Sequence, residues 1–400
     1  MKEGTKMEDL SYKISSLTAF EIGEDRLLKA FSQLTGENKA AAYKAYSEIC
    51  SVLLTENKTL ADYLHDLMIY TEAPLIEAFI RDGNLNQRNA ISFDLGVIKE
   101  IASISADIAK AYLYDKFGDA FALCMPMYES GSFDYNEDYF IEHIRKCGSG
   151  IYAKYKAFTY DNGRLKPVPR HDGIRLSDLK KYETQRKQII ENTLCFINGK
   201  PANNVLLYGD RGTGKSSTIK ALLNEYEELR IVQLDKQDIP SIPHLFELLQ
   251  NVPLKFILFI DDLSFNEDEE GFNVLKQCLD GSLTVRPANI LIYATTNRRH
   301  IIKETNSGRN GDAVHTADAI DDNMSLTDRF GLFITFSSPG KELYLEIIRQ
   351  LAADRGIVVD AEVLESGAER FALKRCGRSP RIAKQYVDMV ESRLALGLEI

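Results

Sequence analysis

The spacing of apolar positions changes character twice along this chain. Residues 1–147 follow a helical period. In AAYKAYSEICSVL, Tyr43, Tyr46, Ile49, Cys50 and Leu53 share one face, and GVIKEIASISADIAKAYLYDKF does the same with Ile98, Ile101, Ile108 and Tyr112. Gly83, Gly118 and Pro126 punctuate the run. The pattern predicts a mainly helical N-terminal domain over 1–147. Its aromatic stripes read as core, and none of its residue groupings carries recognisable chemistry.

The texture then shifts. Tyr152, Lys154 and Lys156 alternate with their neighbours, Asp161-Asn162-Gly163 offers a turn, and Arg164 to Val168 runs on. This predicts a hairpin. Pro167, Pro169 and Gly173 follow, so 148–173 reads as hairpin and connector. From 174 to 337 short apolar runs alternate with helical stretches: NVLLYG, LRIVQLD, FILFIDD, NILIYATT and LFITFSS. Such runs predict an α/β domain, a parallel sheet covered on both faces. Residues 338–400 return to a helical period.

Composition narrows the class. Apolar residues make up 44% of the 400, enough for a real core. Lys and Arg number 49 against 59 Asp and Glu, a net charge of −10. That balance does not point to nucleic acid, which selects cation-rich surfaces, although a local basic face is compatible with it. The six cysteines are scattered and form no CxxC pair, as in a reducing compartment. The first 30 residues lack a signal-peptide core, and no apolar run approaches the roughly 20 residues of a membrane helix. The expectation is a cytoplasmic protein without a membrane partner.

One loop carries specific chemistry. Gly209, Asp210, Arg211, Gly212, Thr213, Gly214, Lys215 and Ser216 fit GxxxxGK[ST], followed by Ser217. The glycines let backbone N–H groups turn inward onto phosphate oxygens. Lys215 brings a compact charge to the β and γ phosphates, and Ser216 a hydroxyl for Mg²⁺. NVLLY reads as the strand before the loop and SSTIKALLNEYEEL as the helix after it, whose N-terminus favours anions. KFILFIDDLSF then supplies Asp261 and Asp262 at the end of a buried strand, where parallel sheets bind ligands. Asp261 is the candidate for organising Mg²⁺, directly or through water. Asp262 is the candidate for orienting the attacking water. DKQD at 235–238 has Asp where a guanine reader carries Asn and precedes Asp261, and no DxxG starts at Asp261 or Asp262, so guanine specificity is rejected.

Three further features fall in order: LIYATTNRR with Asn297, SLTDRFG with Arg329, and CGRSPRIAKQYV with Arg381. With these, residues about 174–400 resemble the AAA+ ATPases. The likeness is to a bacterial AAA+ group of unknown function with a helical N-terminal region, and also to the helicase-loader and initiator branch, where two aspartates end the Walker B strand. The resemblance implies a P-loop NTPase (AAA+) parallel-sheet core with a small C-terminal helical lid. It implies ATP and Mg²⁺ as ligands, with 209–216 as Walker A and Asp261–Asp262 as Walker B. Leu176, Leu179 and Tyr182 would contact adenine. Asn297 would be sensor 1, Arg329 the arginine finger reaching a neighbouring subunit, and Arg381 sensor 2, with Arg378 the competing choice. Most AAA+ ATPases carry Glu where Asp262 stands.

The reading that follows is an ATP-hydrolysing machine that assembles into a homo-oligomer through Arg329 in trans. It would remodel a macromolecular partner recognised through residues 1–170. A slow-hydrolysing loader-type module that grips DNA or a DNA-bound protein is the alternative. A small-molecule kinase fits the finger and sensor placements less well. The acidic loop NEDEEG (266–271) reads as solvated, and the long polar stretch 303–323 as a segment that orders on nucleotide binding.

Overall fold

The computed structural model describes Met7 and residues 9–264, 270–280, 286–297, 329–375 and 377–399. The chain divides into two units, Met1–Tyr155 with Asn251–Leu254, and Lys156–Gln250 with Lys255–Ile400. The stretch 303–323 and all of NEDEEG except Gly271 and the backbone of Glu270 lie outside the described residues.

The first unit is helical: α1 (Leu10–Ser15), α2 (Arg26–Leu34), α3 (Lys39–Glu56), α4 (Leu60–Tyr70), α5 (Pro74–Asp82), α6 (Leu85–Ala102), α7 (Ala106–Phe117), α8 (Glu137–Cys147) and α9 (Gly150–Lys154). Capping side chains mark most starts. Asp25, Asn38, Thr59, Asn84, Ser105 and Asn136 each accept from first-turn N–H groups, satisfying donors that have no partner within the helix. The apolar face expected on α3 packs inward: Tyr46, Ile49, Cys50 and Leu53 are buried in one core, with Tyr43 against its edge. The run 96–117 is not continuous. It breaks at Ser103–Ser105, where Ser105 caps α7, because its side chain takes the Ile108 N–H. Buried Asp94 accepts from the N–H groups of Thr18, Ala19 and Phe20, at 2.9, 2.7 and 3.3 Å, and so pins the segment between α1 and α2.

The second unit is built on a sheet of seven strands: β1 (Ala157–Asp161), β2 (Arg164–Pro167), β3 (Val205–Gly209), β4 (Leu229–Leu234), β5 (Lys255–Ile260), β6 (Ile290–Thr296) and β7 (Leu332–Phe336), in the order β2-β1-β4-β5-β6-β3-β7. All pairs are parallel except β1 with β2. The five apolar runs read from sequence are β3 to β7. Every residue of β6 is buried, and all of β5 but its first, as expected for strands covered on both faces. The hairpin differs from expectation in two ways. Tyr152 and Lys154 are helical, in α9, so the strands begin only at Ala157. And the hairpin does not stand apart: β1 pairs parallel with β4 and extends the main sheet. Its turn holds Asn162 and Gly163 at φ 50° and 80°, the two-residue turn that closes hairpins.

Helices α10 (Glu183–Ile197), α11 (Lys215–Glu225), α12 (Ile242–Leu249) and α13 (Glu270–Asp280) accompany the sheet. After β7 the chain forms α14 (Lys341–Asp354), α15 (Ala361–Lys374) and α16 (Pro380–Ala395), which close their own small core around Tyr344, Ile348, Ala368, Tyr386 and Val387. Among the described residues no helix is long and apolar enough to cross a membrane.

Candidate functional site

The chain leaves β3 at Gly209, whose φ is 139°. A Cβ there would lie 1.9 Å from the Phe336 carbonyl oxygen, so only glycine lets β3 end against β7. The turn continues through Gly212 and Gly214, at φ 77° and 97°, into the N-terminus of α11. Asp210 ties the loop down: its carboxylate accepts the Ser338 N–H at 2.8 Å, and that bond holds its carboxyl below the usual range. Thr213 Oγ1 donates to the Asp210 carbonyl at 2.8 Å. The loop is thus pre-shaped around a concavity lined by its residues 211–217.

Lys215 is buried and donates to the carbonyls of Gly209 and Asp210 at 2.7 and 2.8 Å and to Asn297 Oδ1 at 2.8 Å. Burial holds its ammonium below the ordinary lysine range. Asn297 Nδ2 in turn donates to Asp262 Oδ1 at 2.8 Å. A second chain runs beside it: the hydroxyls of Ser216 and Thr295 both donate to Asp261 Oδ1, each at 2.6 Å. Thr295 Oγ1 also accepts the Asp262 N–H, at 3.0 Å, where Asp262 turns into the left-handed region at φ 53°. Three neighbouring strand ends therefore converge. β3 delivers Lys215 and Ser216, β5 the two aspartates, and β6 Thr295 and Asn297, as its order beside β3 requires. The sequence places Thr295 at the end of its strand with Thr296 and Asn297 but gives it no role; its signal is only that place, two residues before Asn297.

Together with the lid these residues line a cavity of about 1040 Å³. Ile174 and Leu179 line it as well, with Ile347 and Leu351 of α14. The lid reaches the loop through α16. The Arg381 N–H donates to the Gly212 carbonyl at 3.2 Å, and Ser379 Oγ would stand 2.9 Å from any Cβ on Gly212.

The expected residues separate into groups. Residues 211–217, Asp261, Asp262, Asn297, Leu179 and Arg381 line the cavity, and Gly209 and Asp210 shape it from behind. Leu176 and Tyr182 do not line it. Both pack on the core under the sheet. The Tyr182 ring stacks on Phe336 with centroids 5.4 Å apart, and its hydroxyl donates to the Ser337 carbonyl at 2.7 Å. The backbone is the reason: Lys181 and Tyr182 both sit at φ 62°, which turns the tyrosine away. Arg378 makes a two-pronged bond to Glu369, at 2.9 and 2.7 Å, inside the lid, whereas Arg381 lines the cavity. Arg329 is absent from the lining and pairs with Asp280; Asp328 lies outside the described residues.

The donor chemistry fits a magnesium polyphosphate. Mg²⁺ takes hard oxygen ligands, usually one or two carboxylates plus substrate phosphates. Ser216 and Asp261 form such an oxygen pair, and among the described residues no group of three or more His, Cys, Asp or Glu offers a full protein cage.

The family described as "Protein of unknown function (DUF815)" matches residues 153–394. The replication factor C large subunit of Nanoarchaeum equitans is 35% identical over 114 residues, 25% of this chain and 26% of that one. An AAA-ATPase of Arabidopsis thaliana is 29% identical over 138 residues, 32% of this chain and 25% of that one. The chain thus spans about a quarter of the length of the curated relatives it matches. Among solved structures, the Thermotoga maritima RuvB Holliday junction branch migration motor aligns at 17% identity with a TM-score of 0.39, covering 56% of this chain and 66% of that one.

Proposed function

The chain belongs to the DUF815 family and has the AAA+ P-loop fold, and from that premise we propose that it binds ATP with Mg²⁺, hydrolyses it, and couples the nucleotide's state to a macromolecular partner. The observation that carries this reading is the hydrogen-bonded chain Lys215–Asn297–Asp262 lying beside Ser216–Asp261 in one cavity.

The roles follow from chemistry. Residues 211–217 surround the phosphates with N–H groups, and Lys215 leaves its carbonyl acceptors for the β and γ oxygens. Ser216 and Asp261 hold Mg²⁺, which when bound neutralises charge on the phosphate oxygens. Asp262, with Asn297 aligning it, orients a water toward the γ phosphorus and takes its proton as the bond to ADP breaks. Ile174, Leu179, Ile347 and Leu351 take the base between them. Two helices of the lid, α14 and α16, line the cavity, so the lid's position reports what the cavity holds. Arg329 completes the site of a neighbouring subunit, and residues 1–170 recognise the partner.

A second reading is a slow-hydrolysing loader-type module that grips DNA or a DNA-bound protein. The side chain of Asp262 favours it, being one methylene shorter than Glu and held by the Asn297 amide. A pull-down with Asp262→Asn loaded with ATP tests both. A retained protein supports remodelling. ATP-dependent DNA binding that falls steeply with salt supports the loader. Retention of neither, with ATP bound, rejects the coupling.

A further inference from the structure

We propose that Thr295 is a positioning residue for hydrolysis: its hydroxyl fixes the turn that presents Asp262 to the cavity. The inference rests on the proposed function and deepens it, giving a role to a residue that no motif marks.

The arrangement starts from the sheet. The parallel pairing of β5 with β6 ends at Ile260 opposite Ala294. Thr295 is the next residue of β6, only 2% exposed, and it takes over where the ladder stops. Its carbonyl accepts the Leu263 N–H at 2.7 Å. Its Oγ1 accepts the Asp262 N–H at 3.0 Å and donates to Asp261 Oδ1 at 2.6 Å. A hydroxyl has one hydrogen to give and lone pairs to accept with, so one side chain serves both aspartates at once. Of the side chains named at this site, Thr295 is the one bonded to both. Ser216 reaches Asp261, and Asn297 reaches Asp262.

The backbone shows why that hydroxyl matters. Asp262 sits at φ 53°, in the left-handed region that L residues seldom adopt. The turn takes the Asp262 N–H out of the ladder, and Thr295 Oγ1 receives it. An N–H without an acceptor would weigh against this conformation. The same conformation carries the Asp262 carboxylate to Asn297 Nδ2, at 2.8 Å, and to the cavity. Thr295 thus acts through Asp262 and touches no substrate itself.

The test combines turnover, ATP affinity and amide exchange on the full chain, for the wild type, Thr295→Val and Thr295→Ser. Valine keeps the shape and removes the hydroxyl. It should lower turnover about 10- to 100-fold and leave ATP affinity within about twofold, the pattern of a group that matters only in the reaction. Serine keeps the hydroxyl and should restore most of the loss. In the free chain Thr295→Val should speed exchange of the Asp262 amide, while the Leu263 amide, bonded to a backbone carbonyl, stays protected. If valine releases the Leu263 amide too, the turn has collapsed, and Thr295→Ala is judged by the same criteria in its place. Wild-type turnover in the valine variant, a serine variant as slow as valine, or an unchanged Asp262 amide would overturn the assignment while leaving the nucleotide site standing. A wild-type chain that does not turn over ATP overturns the proposed hydrolysis, and this inference with it.

Discussion

The Lys215 ammonium donates to Asn297 Oδ1 at 2.8 Å while also resting on the carbonyls of Gly209 and Asp210. A buried cation is thus held by neutral acceptors, which a phosphate would replace in the proposed function. Desolvation lowers its proton affinity in the free chain, and a bound triphosphate would raise it again. ATP binds the charged form, so affinity should weaken as pH rises, starting below the ordinary lysine value of 10.5. Stability of the free chain moves the other way. Between the lowered value and 10.5 the unfolded chain holds the extra proton, so this contribution to stability rises with pH. Calorimetric titrations of ATP across pH 7 to 10, with denaturant melts of the free chain, check both signs. Lys215→Ala should abolish binding and remove the pH slope together.

Asn297 joins Lys215 to Asp262, so the two ends of that chain should separate in a kinetic experiment. Asp262→Asn keeps the shape and the bond to Asn297 but removes the base. Turnover should fall by about 10²–10⁴ with ATP affinity nearly unchanged. Asn297→Ala should lower turnover by a smaller factor, on the order of 10², because Asp262 keeps its charge and loses only its alignment. Steady-state phosphate release with separate binding curves measures both. An Asp262→Asn variant that turns over normally would remove this residue from the mechanism.

Arg381 and Arg378 stand three residues apart and compete for one role. The structure commits Arg378 to Glu369, a partly exposed pair that holds the Glu369 carboxyl below its usual range. Arg378→Ala should therefore cost at most about 1 kcal/mol of stability and leave nucleotide affinity within about twofold. Arg381→Ala should weaken ATP roughly tenfold more than ADP. The ratio of the two affinities, measured for both variants, decides between them.

Local chemistry explains what could be read in the sequence and what could not. The loop and its flanking strand and helix are contiguous, so eight residues carry the site's phosphate end. β5 and β6 are apolar on both faces, which marks them as strands without knowledge of their neighbours. The pairing of β1 with β4 joins residues about 75 apart in sequence and leaves no trace in either strand. Tyr182 misleads for a backbone reason: a left-handed tyrosine is uncommon, and nothing in LKKYET announces it. Ile347 and Leu351 lie on an amphipathic helix whose apolar face serves both the lid core and the cavity. Periodicity gives the face but not its neighbour. The break at Ser103–Ser105 did carry a signal, since Ser105 is a capping residue, but the helical period continues across it.

Arg329 pairs with Asp280 and does not line the cavity of its own chain. If it serves a neighbour, then a subunit lacking it still owns an intact site, and a subunit lacking Lys215 still owns an intact arginine. Each variant alone should be inactive. Arg329→Ala should retain ATP binding while turnover falls by about 10³–10⁵, the range for arginines supplied in trans. Mixing Arg329→Ala with Lys215→Ala subunits should then restore part of the activity, because mixed assemblies place a complete site beside a complete arginine. Turnover per site should also rise with protein concentration in the wild type, since assembly supplies the missing charge. If the mixture stays inactive although the two variants co-assemble, as judged by light scattering, Arg329 acts within its own subunit or not at all. A turnover independent of concentration down to the monomer would lead to the same conclusion by a separate route.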